Sequence, residues 1–219
     1  MATKVKICGL TRPEDALAAA RAGADFAGLV FHPGSPRYVS PDKAGAIAAA
    51  LRGRVPVVAL FVDAGDQTIA GGAAAARPDF LQLHGSESPK RVAEIRARFG
   101  IPVVKAIGIS EAQDFDQVPE YEAVADMLLF EGKTASGLQG GMGCAFDWQL
   151  LRERRIRKPW LLAGGLNVQN VARAIRTAGA PGVDVSSGVE TAPGIKDAQK
   201  IADFVAAARA AEFAVEQPA

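Results

Sequence analysis

Trp160-Leu-Leu-Ala-Gly-Gly-Leu166 and Gly182-Val-Asp-Val-Ser-Ser-Gly188 are the stretches on which the fold turns. In each, a short apolar run stops at residues without bulk, and a segment of helical character follows. Backbone N–H groups left bare at Gly164, Gly165, Ser187 and Gly188 can approach phosphate oxygens closely. The first turn of a following helix adds unpaired donors and a favourable dipole. Asn167 stands where the N-cap of the first of those helices is expected. One such turn is only the strand-to-helix junction that any α/β protein needs. Two in succession, closing a series of strand-helix units, would form an anion cup, so the number of units decides the fold.

Apolar runs that read as buried strands occur at 4–7, 26–31, 57–62, 80–83, 103–107, 127–130, 160–163 and 183–185. Alanine-, leucine- and charge-rich segments of helical length separate them, at 13–22, 41–51, 89–99, 168–177 and 195–211, with a weak fifth unit at 110–119. Alternation of the two patterns favours parallel strands joined by helical crossovers. Odd-numbered strands after the first are introduced by Pro56, Pro102 and Pro159, a residue tolerated at a strand's first position. Even-numbered strands carry Asp25, Asp79, Asp126 and Asp184 near their starts. A βαβα module used four times gives that rhythm. Eight units without a Gly- or Ser-rich linker predict an α/β chain folded as a single (βα)8 TIM barrel. Paired turns after the last two strands are where many such barrels hold phosphate.

The bulk properties agree. A chain of 219 residues, 49% hydrophobic, supports one well-buried domain spanning 1–219. A net charge of +1 with both signs scattered along the chain leaves no basic stripe, so no nucleic-acid partner is expected. No run reaches the roughly 18 apolar residues of a membrane span and the first residues lack a signal peptide's apolar core. The expectation is a cytoplasmic protein without a membrane partner. Cys8 and Cys144 lack metal-ligand spacing, which predicts free thiols and no metal site.

Function in such a barrel belongs at the C-terminal strand ends, here Cys8, His32, Asp63, His84, Gly108, Glu131, Gly164 and Ser186. Thr11-Arg-Pro-Glu14 after the first strand reads as a capping box. Cys8 is either a small core residue or, beside Gly9 at the rim, a thiolate acting as base or nucleophile. Arg37, in the proline-stiffened loop His32-Pro-Gly-Ser-Pro-Arg-Tyr-Val-Ser40, either is solvated or presents a planar fork to a carboxylate. His32 and His84 either titrate or serve as hydrogen-bonded structural residues. Glu131 leaves an apolar strand directly into the mouth, where burial favours the neutral, proton-donating form. Asp126, at the other end of that strand, reads as structural. The loop Gly137-Leu-Gln-Gly-Gly-Met-Gly143 can add N–H groups or a lid, with Gly141 and Gly143 as candidate ligands of the substrate.

Six stretches in this order resemble the phosphoribosylanthranilate isomerase family of tryptophan biosynthesis over nearly the whole chain. They are Lys6-Ile-Cys-Gly-Leu-Thr11, Ser35-Pro-Arg-Tyr-Val-Ser40, Leu81-Gln-Leu-His-Gly85, Gly140-Gly-x-Gly-x-x-Phe-Asp-Trp148, Ala163-Gly-Gly-Leu166 and Val183-Asp-Val-Ser-Ser-Gly-Val-Glu190. The resemblance implies an Amadori rearrangement of N-(5-phosphoribosyl)anthranilate without metal or organic cofactor. It implies Cys8 as the base at ribose C2, Arg37 as the ligand of the anthranilate carboxylate, and the glycine turns around Gly165 and Gly188 as the phosphate grip. The acid that opens the furanose falls at Glu131, where the family carries aspartate. His84 and Asp184 are further candidates, and a monomer or homodimer is expected. The alternatives are a related phosphosugar isomerase of histidine biosynthesis and a barrel that binds the phosphoribosyl ligand without turning it over. Isomerases of the former kind use paired aspartates where this chain has Cys8 and Gly108.

Overall fold

The computed structural model describes residues 2–133 and 146–211. Eight parallel strands close into a barrel in chain order: β1 (Lys4–Cys8), β2 (Phe26–Val30), β3 (Val57–Phe61), β4 (Phe80–Leu83), β5 (Val103–Ile109), β6 (Met127–Gly132), β7 (Trp160–Leu162) and β8 (Gly182–Val185). β1 and β8 complete the closure, with Lys4 opposite Gly182 and Lys6 opposite Asp184. Around them lie α1 (Pro13–Ala22), α2 (Pro41–Leu51), α3 (Asp66–Ala76), α4 (Pro89–Phe99), α5 (Val118–Val124), α6 (Gln149–Arg152), α7 (Val171–Ala178) and α8 (Ala198–Arg209).

Period-two alternation sorts each strand's side chains. Val5, Ile7, Ala27, Leu29, Ala59, Phe61, Leu128 and Phe130 join the main core beneath the helices. Val104, Ala106, Leu129, Leu161 and Ala163 form a separate cluster that fills the barrel axis. Each large apolar side chain so buried contributes roughly 1.5–3 kcal/mol relative to exposure. The same alternation carries Lys6, Cys8, Gln82, His84, Glu131 and Asp184 to the inner face.

The fourfold rhythm has a hydrogen-bonding cause. Asp25, Asp79 and Asp126 each donate a backbone N–H to the carbonyl of Val5, Val57 or Val103, at 2.8, 2.8 and 2.9 Å. Each also accepts that same valine's N–H on Oδ2, at 2.8, 2.7 and 2.9 Å. The aspartate of an even strand thus fixes the start of the odd strand before it. Asp184 breaks the series, because it lies inside β8 and faces the barrel axis. The prolines act through their carbonyls: Pro56, Pro102 and Pro159 accept from Ala27, Leu81 and Leu128.

Asp25 also ties the chain's last helix to its first strands, since Lys4 Nζ and Arg209 Nη2 donate to it at 2.8 and 2.6 Å. Partial burial would raise its carboxyl, but Lys4, the Val5 N–H and Arg209 outweigh burial and hold it below the usual carboxylate range. A carboxyl depressed in the folded state adds stability above its unfolded value of about 3.9 and loses it as pH falls through the folded value. Asp25→Asn is expected to lower unfolding free energy by about 1–2 kcal/mol at pH 7. In urea melts, its gap from the parent should close as pH drops below about 3.9.

Four local expectations need correction. The N-cap of α1 is Arg12, without a side-chain cap, because Pro13 starts the helix one residue later than a capping box on Thr11 requires. Thr11 Oγ1 instead donates to Gly194 O at 2.5 Å. α7 begins at Val171 with Asn170 as N-cap. Asn167 caps the tight turn before it, accepting from the N–H groups of Gln169 and Asn170 at 2.9 and 3.1 Å. After β8 comes a single 3-10 turn, Ser187–Val189, rather than a long helix. A hairpin of β9 (Glu190–Ala192) and β10 (Ile195–Lys196) follows it, so α8 starts at Ala198.

Candidate active site

Lys6 and Cys8 lie two residues apart on the inner face of β1, so both point up the axis. Lys6 is fully buried and its Nζ donates to Asp184 Oδ1 at 2.8 Å, the partner that the β1–β8 register sets beside it. Room for both comes from β2: a Cβ on Gly28 would stand 2.9 Å from Cys8 Sγ and 3.2 Å from Lys6 Nζ. Burial would discharge Lys6, but Asp184 and Cys8 hold its ammonium well above the ordinary lysine range. Burial pushes the Cys8 thiol up, with Lys6 opposing it. The result is a thiol whose anion is favoured by the buried Lys6 ammonium and, more weakly, by Lys196.

Above Cys8 the rim is built by the loop after β2, by Ser186 just past β8 and by the β9–β10 hairpin. Arg37 is bound as a fork, Nε and Nη2 donating to Glu190 Oε1 and Oε2 at 2.8 Å each. That pairing raises the guanidinium. Burial alone would raise the Glu190 carboxyl, but Arg37 and Lys196 lower it. Lys196 Nζ donates to Glu190 Oε1 at 2.7 Å and to Ser186 Oγ at 3.2 Å, and Ser186 Oγ donates to Cys8 O at 3.1 Å. Burial lowers the Lys196 ammonium, and Glu190 opposes it. Gly9, at φ 75°, lets this happen: a Cβ there would stand 2.4 Å from Arg37 Cδ.

Across the barrel, His84 Nε2 lies 2.7 Å from Glu131 Oε1, and His84 Nδ1 lies 2.7 Å from Gln82 Nε2. All three side chains are buried. Gly108 of β5 pairs with Glu131 in register, and the Lys133 stem fills the space over it, its Cγ 2.8 Å from where a Cβ would stand. The acid at 131 nevertheless reaches across β5 to a histidine two strands away.

The glycine turns meet on the same rim. Gly164 and Gly165 take φ of 90° and 64°, open to glycine at no steric cost. Asn170 pins that turn, its Nδ2 donating to Gly165 O at 2.9 Å. A Cβ on Gly188 would fall 2.0 Å from Leu166 O, so the two turns pack backbone on backbone. Among the described residues, the amides of Gly165, Ser187 and Gly188 donate to no backbone acceptor.

Cys8, Arg37, His84, Glu131, Gly164, Gly165, Ser187 and Gly188 thus share the C-terminal end of the barrel, with Asp184 one layer below. Gly141, Gly143 and Cys144 lie outside the described residues. His32 stays half-buried in its loop. Asp63 is a loop brace whose Oδ1 accepts from Ser86 N at 2.7 Å. Lys6, Gln82, Glu190 and Lys196 escaped the sequence-based selection. Strand period alone marks Lys6 beside Cys8 and Gln82 beside His84, and Glu190 ends a quoted motif. Lys196 carries no such signal, because it depends on the unforeseen hairpin.

A closed (βα)8 barrel thus gathers a thiol, a carboxyl and bare amides on one rim. Residues 5–207 match the model of the family described as N-(5'phosphoribosyl)anthranilate (PRA) isomerase. The N-(5'-phosphoribosyl)anthranilate isomerase of Paracoccus denitrificans is 52% identical over 212 residues, 96% of this chain and 99% of that one. That of Beijerinckia indica is 53% identical over 211 residues, 95% of each. The crystal structure of phosphoribosyl anthranilate isomerase from Thermotoga maritima superposes with a TM-score of 0.85 at 40% identity, covering 94% of this chain and 98% of that one. The chain belongs to the N-(5'-phosphoribosyl)anthranilate isomerase family. Membership sets aside the related isomerase of histidine biosynthesis.

Proposed function

We propose that this chain converts N-(5-phosphoribosyl)anthranilate to 1-(2-carboxyphenylamino)-1-deoxyribulose 5-phosphate in tryptophan biosynthesis, with Cys8 as base and Glu131 as acid. The observation that carries the proposal is the pairing of a charge-supported thiol and a buried carboxyl on the inner faces of β1 and β6. Glu131 delivers a proton to the furanose oxygen as the C1–O bond breaks, and the nitrogen lone pair forms a C1=N iminium. The Cys8 thiolate then removes the proton on C2, and those electrons neutralise the iminium as an enol-amine that tautomerises to the ketone. Phosphate held by the amides of Gly165, Ser187 and Gly188 supplies orientation remote from the reacting bonds. Gly164 shapes that cup, and Gly141 and Gly143 are proposed as further ligands of the substrate from the sequence alone. Arg37 offers the anthranilate carboxylate Nη1, the nitrogen that Glu190 does not engage, and Asp184 acts through Lys6. Support for the phosphoribosyl ligand comes from a relative 37% identical, with a TM-score of 0.81, solved in complex with reduced 1-(o-carboxyphenylamino)-1-deoxyribulose 5-phosphate.

The proposal takes residues 1–219 as one catalytic domain working in the cytoplasm as a monomer or homodimer. Among the described residues, no helix is long and apolar enough to cross a membrane. Anthranilate-type fluorescence provides the test: mixing purified protein with freshly made substrate should give a falling signal, and a shifted but constant signal would mean binding alone. The same assay probes Lys6. Because the thiol sits above its ordinary range, kcat/KM should rise with pH as Cys8 ionises. Lys6→Met removes the counter-charge that opposes burial and is expected to move that rise further to alkaline pH. An unmoved profile would detach Lys6 from the base.

A further inference from the structure

The mechanism leaves Gln82 unused, although it is completely buried on the inner face of β4, directly below His84. Its Nε2 approaches His84 Nδ1 at 2.7 Å, and its buried Oε1 has no hydrogen-bond partner among the described residues. A buried amide left half-satisfied calls for an explanation at its satisfied end. A carboxamide nitrogen can only donate, so Nδ1 must accept, and the neutral ring then carries its proton on Nε2. That proton faces Glu131 Oε1 at 2.7 Å.

We propose that Gln82 is a positioning residue that sets the tautomer of His84 and thereby keeps the transferable proton of Glu131 on its substrate-facing oxygen. The inference rests on Glu131 being the acid. With Nε2–H donating to Oε1, the acid proton is left to Oε2, the oxygen free to meet the furanose. As that proton departs, negative charge grows on the carboxyl and the bond from Nε2–H strengthens, so the interaction is larger in the transition state than before it. The opposite tautomer inverts the outcome. A bare Nε2 facing Oε1 draws the acid proton into the His84–Glu131 bond and withholds it from the sugar. A half-turn of the Gln82 amide would impose that state, by presenting Oε1 to an Nδ1–H.

The test is the 15N imidazole spectrum at neutral pH. It is simple here because the chain has two histidines, His32 and His84, which His32→Gln assigns. The parent should show His84 protonated on Nε2 and bare on Nδ1. Gln82→Glu, of equal size, places an acceptor at Nδ1 and should reverse the pattern. It should lower kcat by about tenfold to a hundredfold while leaving KM within about threefold, since residue 82 lies below the reach of substrate. Protonation on Nδ1 in the parent overturns the proposal without recourse to any variant. A reversed tautomer with parental kcat, or an unreversed one, overturns it as well. Glu131→Gln separates the two levels: parental turnover there removes the acid assignment itself, whereas a loss there beside an active, tautomer-reversed Gln82→Glu removes the role of Gln82 alone.

Discussion

Cys8→Ala is expected to lower kcat/KM by about two to four orders of magnitude, the range that a positioned base supplies. The fold should persist, because Cys8 belongs to a small interior cluster with Val30, Leu60 and Val62 that is separate from the main core. Truncation there removes a sulfur from a site that already holds Lys6 and Asp184 as an ion pair, so the charges stay compensated. Cys8→Ser should behave almost as badly. A hydroxyl fits the space, but its proton is far harder to remove, and one lysine does not supply the difference. The measurement is steady-state fluorescence alongside a thermal melt. A parental melting temperature with lost turnover assigns the sulfur to chemistry, and a mild effect on turnover returns Cys8 to packing.

Glu131→Gln should cost about as much, again two to four orders of magnitude. The amide preserves size and keeps an acceptor for His84 Nε2, so the substitution removes the transferable proton and little else. Glu131→Asp probes reach. It keeps the acid but draws it back by a methylene from a histidine now 2.7 Å away. A displacement of about 1 Å costs about a hundredfold where geometry is tight. Activity of the aspartate variant should therefore fall between parent and Glu131→Gln, even though aspartate is what the family resemblance places in that slot. Both variants are read as kcat and KM separately, with the loss expected in kcat.

The barrel was legible because its determinants are local. Apolar runs bounded by Pro, Asp and Gly mark all eight strands, and Pro13, Pro41 and Pro89 mark helix starts that agree to the residue. Asp25, Asp79 and Asp126 could be noticed as a rhythm, but their shared bond to the preceding strand's first valine exists only once the strands are adjacent. The same limit applies to the site. Cys8, Glu131 and the glycine turns announce themselves at strand ends, whereas their partners come from elsewhere in the barrel. Asp184 reaches Lys6 across the closing β1–β8 seam, Glu190 reaches Arg37 from a hairpin with almost no periodic signal, and His84 reaches Glu131 across the whole width of β5. Such pairings depend on register, which no single stretch of sequence contains.

The most direct test of the account is a crystal structure of this chain with reduced 1-(o-carboxyphenylamino)-1-deoxyribulose 5-phosphate bound. The account predicts the phosphate on the amides of Gly165, Ser187 and Gly188, with Cys8 Sγ and the Glu131 carboxyl on the same sugar and Glu131 still joined to His84. A phosphate seated elsewhere, or a sugar out of reach of either side chain, would contradict it.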